Sequence, residues 1–465
     1  MKAFHPSRNC NPHGRLTRVV ILFYALLISA CAHSHPTLIV DREVSFNVFI
    51  ASVRNAKMED FSKVPETRVE SAGAFDEMKK HILFLYEGVT PKHTFLGRDN
   101  QFVDCIPIEQ QPGLRNPRLG KIALQLEPPK ASIFSPLRAE QPSKEQMPPT
   151  EHRSSDITLK PGVSDRFGKE MFCETSTIPM RRVTLEEMTR FRTLRDFFAK
   201  GGRVGPGKGD VRSPDLIPGD PSHYYAVGYQ NVANFGGDSW LNLWSPRVSS
   251  HQMSLSQMWV RANPDENRQT IEAGWQVYPD RWSSTQAALF IYYTTDNYKS
   301  GTGCYNLDCS GFVQVANNVY LGAGFDHYSE RDGGQWGFNL QVKHHTDGNW
   351  WLFYRGPGDY IAFGYYPGTL YGTGEMSRQA SIIRWGGEDT GDPSACQMGS
   401  GALPSEGWGR SAFHDVVFYI DTNTVSQWPN LSKIETPANC YLIDIHNFAD
   451  NRQKTFFYFG GPKCN

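Results

Sequence analysis

The chain has 465 residues, a formal net charge of −1 and 39% hydrophobic residues. That length allows two or three domains and a sizeable core. A balanced charge, with no basic run and no heptad pattern, argues against nucleic acid or an anionic membrane surface as the main partner.

At the amino terminus, Arg15 and Arg18 precede an apolar run over 19–30, and Ala30-Cys31-Ala32 has the small-x-small form of a cleavage site. Residues 1–32 therefore read as a secretion signal, the run being shorter than the ~20 residues a membrane span needs. A lipoprotein signal with Cys31 lipidated is the alternative. Removing the signal leaves seven cysteines: Cys105, Cys173, Cys304, Cys309, Cys396, Cys440 and Cys464. An odd count in an exported chain implies disulfides plus one leftover. Loops between Cys304 and Cys309 and between Cys440 and Cys464 are open to closure, and Cys105, Cys173 and Cys396 are left unassigned. Asn430-Leu431-Ser432 is a glycosylation sequon.

Composition then divides the chain. All eleven Trp lie between Trp240 and Trp428, while twenty of thirty Pro stand at or before Pro221. This predicts two folding units. In the first, about 33–127, Phe75, Met78, Ile82 and Leu85 fall at helical spacing. Residues 128–221 read as a Pro/Gly-rich linker region holding one helix. That helix opens at a Thr184–Glu187 capping box, carries Leu185, Met188, Phe191 and Leu194 as its stripe, and stops at Gly201. GGRVGPGKGD (201–210) lacks phosphate-loop spacing and reads as an exposed linker.

From 222 to 465 the pattern is short strands between turn residues, with Asp347-Gly348 marking a hairpin. An all-β domain is expected, an antiparallel sandwich. Its strand 269–278 places Ile271, Ala273, Trp275 and Val277 on one face. Thr270, Glu272, Gly274 and Gln276 take the other. Glu and Gly are both poor strand residues, so an acid two places from a side-chain-free position marks this strand out. A second strand repeats the pairing with Gly386 and Glu388.

Other chemistries find less support. There is no GxSxG elbow, and no HExxH or CxxC spacing, so neither a serine nucleophile nor a metal is indicated. No cofactor is expected. The adjacent His344 and His345 read as exposed hairpin residues.

Several ordered segments resemble the neprosin family of secreted glutamic peptidases. They are SLSQMW (254–259), IEAGWQV (271–277), GCYNLDCSGFVQ (303–314), WGGE (385–388), QMGSG (397–401) and YFGGP (458–462) with Cys464. Upstream, FVDCI (102–106) and TIPMRR (177–182) resemble the family's activation-peptide region. The resemblance implies a prosegment over 33–127, its end reaching into 128–221, then a jelly-roll-like sandwich peptidase over 222–465. It implies catalytic Glu272 and Glu388, proline-directed cleavage, and disulfides Cys304–Cys309 and Cys440–Cys464. Cys396, just before QMGSG, departs from the pattern.

On this reading the partners are proline-containing peptides and the chain's own prosegment as inhibitor, with no nucleic acid and no stable membrane span. The setting is extracellular, or vacuole or wall in a plant. Two carboxyls, one ionised and one protonated, would activate water and protonate the leaving nitrogen, with the active form prevailing in acid. Gln276 is a candidate to orient water or substrate, and Trp259, Trp275, Trp385, Tyr365 and Tyr366 to line a proline pocket. The rival classes are a non-catalytic carbohydrate- or protein-binding sandwich and a two-carboxylate glycoside hydrolase.

Overall fold

A computed structural model describes residues 44–116, 119, 122–130, 153–154, 164–201, 223–262, 267–299, 301–392 and 396–462. The expected signal segment, Cys31, most of the Pro-rich linker, residues 202–222 and Cys464 lie outside the described residues. Those described fall in one compact unit, His35–Asn465.

The upstream part is built from α1 (Phe46–Asn55), α2 (Ala72–Leu85), β1 (His93–Leu96) and β2 (Phe102–Pro107). After β3 (Arg153–Ser154) come β4 (Thr177–Arg181), α3 (Leu185–Met188) and α4 (Leu194–Phe198). Ser71 caps α2, its hydroxyl accepting from Ala74 N, and the helix buries Phe75, Met78, Ile82 and Leu85 as the spacing predicts. Strands β1, β2 and β4 form a three-stranded sheet. A Cys105–Cys173 disulfide and the buried Arg182–Asp104 ion pair tie the later stretch to the earlier one. The single helix expected from Thr184 to Gly201 is two short ones. The capping box holds α3 as predicted, but Thr193 caps a fresh start, accepting from Asp196 N, so Leu194 opens α4 rather than closing α3.

The remaining strands are β5 (His223–Asn234), β6 (Gly236–Asn242), β7 (Ser254–Ala262), β8 (Gln269–Val277), β9 (Ala288–Thr294), β10 (Gly303–Tyr305) and β11 (Val313–Gln314). They continue with β12 (Gln335–His344), β13 (Trp350–Arg355), β14 (Ile361–Tyr366), β15 (Ala380–Thr390) and β16 (Ala412–Ile420). Last are β17 (Ser426–Gln427), β18 (Ser432–Thr436), β19 (Leu442–His446) and β20 (Phe456–Gly460), with short helices α5 (Pro279–Trp282) and α6 (Phe448–Asn451). They make two sheets. The first runs β10-β9-β8-β7-β15-β5-β18, and the second runs β11-β14-β13-β12-β6-β16-β20-β19, with β17 beside β16 and β3 beside β12. Every pairing within the two runs is antiparallel.

The expected all-β architecture, an antiparallel β-sandwich, is what the chain forms. Its core sits between the sheets, where Ile271, Ala273, Trp275 and Val277 of β8 are all buried. Trp275 Nε1 reaches Asn242 O on the facing sheet, and His414 joins the sheets through Ser239 Oγ at 3.0 Å and Ser256 Oγ at 2.7 Å. Burying a large apolar side chain there stabilises by roughly 2 kcal/mol. His344 and His345 are not the exposed hairpin residues expected: His345 is buried, and His344 packs against Phe235 and Trp350. Cys304 and Cys309 are bonded to each other, Cys440 is in a disulfide, and Cys396 is a buried free thiol. Among the described residues no helix is long and apolar enough to cross a membrane.

Candidate active site

Strand parity puts both acids on the face of the first sheet that is turned away from the core. Glu272 on β8 stands opposite Trp259 on β7 and Tyr292 on β9. Glu388 on β15 stands opposite Leu255 on β7 and Tyr225 on β5. The two are not on opposing walls. They lie on one sheet, two strands apart, with β7 between them.

Gln257 of β7 fills the gap, and its register partners are Gly274 on one side and Gly386 on the other. A Cβ on Gly274 would fall 2.0 Å from Ser256 O, and one on Gly386 would fall 2.2 Å from Ala226 O. Both glycines are thus required by close backbone approach, and Gly386 also holds φ +144°. Gln257 Nε2 donates to Glu272 Oε2 at 2.9 Å, while its Oε1 is buried without a hydrogen-bond partner.

Each acid is further held. Thr270 Oγ1 and Tyr298 OH donate to Glu272 Oε1 at 2.9 and 2.6 Å. His223 Nδ1, at the start of β5, donates to Glu388 Oε1 at 2.7 Å. Lys200, just past the end of α4, joins the two: its Nζ is 2.5 Å from Glu272 Oε2 and 2.5 Å from Glu388 Oε2. Those two oxygens therefore lie no more than 5.0 Å apart, twice the 2.5 Å contact. The ammonium also lies over the Trp259 ring, 5.2 Å from its centroid.

The cluster is buried except for Tyr298, which is half-buried. Burial alone would drive the proton off Lys200, but the charges of Glu272 and Glu388 outweigh it and raise its pKa. For Glu388, burial pulls upward, yet Lys200 and His223 overcome it and hold the carboxyl at about 2. An ammonium between two carboxylates satisfies a charge pair that would otherwise repel itself in a dry site.

The site holds two of the aromatic and polar residues singled out in the sequence. Trp259 lies on the acid-bearing face, and so does Gln276, whose Nε2 donates to Tyr305 OH at 3.1 Å and contacts Met253 Sδ at 2.8 Å. The others lie elsewhere, because alternation sends them inward or they belong to the second sheet. Trp275 and Trp385 are buried between the sheets, where a Cβ on Gly237 would be 3.1 Å from Trp385 Cζ2. Tyr366 packs on Phe312 and Tyr293. Tyr365 belongs to a separate cluster with Trp351, Phe353 and Val313. Asn430 is exposed.

Gln257, Thr270, Tyr298, His223 and Lys200 were not foreseen. Parity gave a signal for two of them: Thr270 shares the Glu272 face, and Gln257 shares the Trp259 face. His223 and Lys200 arrive only through tertiary packing.

Residues 250–462 match the sequence model of the family described as Neprosin. The chain carries a Neprosin domain. The match begins inside the sandwich, since β5 and β6 precede residue 250 and pair with β15 and β12. Two solved structures to which part of the chain is similar are scytalido-glutamic peptidase bound to a peptide-based transition-state analogue, and SCP-B, a member of the eqolisin family of peptidases, bound to the tripeptide Ala-Ile-His. The first is 6% identical with a TM-score of 0.28, and the second is 8% identical with a TM-score of 0.25. Each alignment covers 52% of this chain and 98% of the other. The Neprosin domain supports a glutamic-type peptidase.

Proposed function

We propose that the protein is a secreted, acid-active glutamic endopeptidase that cleaves at proline and is made as a zymogen, with Glu272 and Glu388 as its catalytic pair. The observation that carries this is the Lys200 ammonium clamped between two buried glutamates by a segment upstream of the sandwich. Its position is where a water and a scissile carbonyl would have to sit, so the upstream segment acts as inhibitor.

Without Lys200, two carboxyls within about 5 Å cannot both ionise readily in a dry site, and one retains a proton. Glu272 keeps three donors from the sandwich itself, Gln257, Thr270 and Tyr298, whereas Glu388 keeps one, His223, and donors to a carboxylate favour its ionised form. Glu272 is then the base and Glu388 the acid. Glu272 takes a proton from water as the water oxygen bonds to the scissile carbon. Glu388 donates a hydrogen bond to the developing oxyanion and gives its proton to the leaving nitrogen as the C–N bond breaks. The proton on Glu272 returns to Glu388 for the next turnover. Trp259, once Lys200 has left its face, offers an apolar surface to a proline ring, which needs no acceptor for a backbone N–H.

The test is cleavage of a proline-containing peptide at acid pH by the activated protein. Glu272→Gln and Glu388→Gln are each expected to lower kcat/KM by at least about a hundredfold. Near-normal cleavage by either variant overturns the pairing. A spacing of about 5 Å also suits a retaining glycosidase, so release of sugar without peptide from an oligosaccharide and peptide panel would replace the peptidase reading with that one.

A further inference from the structure

On the approach to the acids, the same upstream segment also meets the sandwich at Tyr292 and Arg281. Tyr292 OH donates to Phe198 O at 3.2 Å, and Arg281 Nη1 donates to Phe197 O at 2.5 Å. Tyr292 is the register partner of Glu272 on β9, so it stands on the same face. Its ring lies 6.0 Å from that of Tyr298, whose hydroxyl holds Glu272. Arg281 follows β8 in α5. Its other nitrogen bonds Asp308 Oδ2 at 2.5 Å, and its guanidinium lies 4.0 Å from the Tyr305 ring centroid. Both side chains are almost wholly buried.

The carbonyls they meet belong to the last turn of α4, where backbone oxygens have no partner within the helix. That accounts for the acceptors but not for the donors. Once the segment leaves, a buried tyrosine hydroxyl and a buried guanidinium N–H remain, fixed in direction by Tyr298 and by Asp308 with Tyr305. Leaving such donors unmet is costly, and a peptide backbone lying in the cleft restores what they lose.

We infer that Tyr292 and Arg281 form a backbone subsite that binds carbonyl oxygens of the substrate on the N-terminal side of the scissile bond. The inference rests on the peptidase reading above. The polarity follows from the upstream segment, which passes Arg281, then Tyr292, then the acids as its numbering rises. The chemistry suits the substrate class. A proline-rich peptide presents an acceptor at every residue but lacks an N–H at each proline, and Arg281 and Tyr292 can both donate to such acceptors without requiring an N–H in return. Proline is therefore accepted at the bound positions.

The experiment compares kcat/KM for a nested series of acetylated proline-containing peptides, extended stepwise on the N-terminal side of the cleaved bond, using the activated wild type and Tyr292→Phe. Tyr292→Phe removes one oxygen and keeps the ring. The wild type is expected to gain as the peptide grows over the subsite, and Tyr292→Phe to lose about fivefold of that long-to-short ratio, the worth of one hydrogen bond. Arg281→Lys, which keeps a cation for Asp308, is expected to reduce the ratio one step further out. An unchanged ratio in Tyr292→Phe overturns the subsite while leaving the peptidase standing. No hydrolysis of the longest peptide by the wild type overturns the peptidase reading itself.

Discussion

Gly201 and His223 lie side by side at the acid pair: a Cβ on Gly201 would be 3.2 Å from His223 Cε1, and His223 bonds Glu388. These two residues bracket 202–222, so both ends of that stretch are anchored at the proposed catalytic centre.

Self-cleavage within the stretch is therefore expected to be intramolecular. Acidified proenzyme should yield a mature form starting within about residues 205–225, with ends after Pro214, Pro218 or Pro221 fitting the proposed specificity. Its rate should be first-order and unchanged on dilution. Mass spectrometry over a dilution series checks this, and a rate that falls in proportion to protein concentration would show cleavage between molecules instead.

Lys200 is the residue through which the proposed inhibitory contact meets both acids. Lys200 and His223 together hold Glu388 at about 2, so with the ammonium in place the pair is released only in stronger acid. Lys200→Met leaves two buried carboxylates facing each other, a loss on the order of 3 kcal/mol of docking. The expected result is processing of the variant at a higher pH than the wild type. Identical pH profiles of processing would show that Lys200 contributes no latency.

Behind the acids, two buried groups set opposing pH dependences. Burial raises Asp389 to about 7, with Ser254, Cys396 and Tyr441 drawing it back part of the way. Burial also lowers His414 to about 3. Between about pH 4 and pH 7 the folded state holds a proton on Asp389 that the unfolded chain releases, so acidification through that window adds stability. Between about pH 6.5 and pH 3 the unfolded chain protonates His414 while the folded one does not, so acidification removes stability. Asp389→Asn removes only the first effect. Its Tm should fall more steeply than the wild type's from pH 6.5 to pH 4, at up to about 1.4 kcal/mol per pH unit. Parallel Tm curves would show that Asp389 is ionised in the fold.

Gly274→Ala tests the gap beside Glu272. Its Cβ would meet backbone at 2.0 Å, and no flexible side chain is available to yield. A loss of about 2–4 kcal/mol is expected from this overpacking, read as a drop in Tm by calorimetry. A variant within about 0.5 kcal/mol of the wild type would show that β7 and β8 separate at little cost.

Much of this was legible in the sequence because period-two alternation is a local property. Val277 inward and Gln276 outward follow from parity alone, and Gly386 two places before Glu388 repeats the Gly274 and Glu272 pairing. Strand ends are less legible than strand faces, because hydrogen bonding carries β15 past Glu388 to Thr390. Trp275 and Trp385 lie away from the acids for the same reason that Glu272 and Glu388 share a face. Trp275 and Trp385 alternate with Glu272 and Glu388, so the parity that sends the acids outward sends these rings into the core. Lys200 gave no local sign, since its partners stand 72 and 188 residues away. His223, 165 residues from Glu388, was hidden in the same way.

The Cys105–Cys173 bridge spans the stretch 131–150. A foreign protease that nicked the chain there would create two pieces, yet the piece carrying Lys200 would stay covalently fastened to β2. If the upstream segment is the inhibitor proposed above, accidental damage in that stretch would not arm the enzyme. Loss of inhibition would await scission after Gly201, between two residues that both lie at the acids, and the bridge would work as a safety catch that separates wear from command.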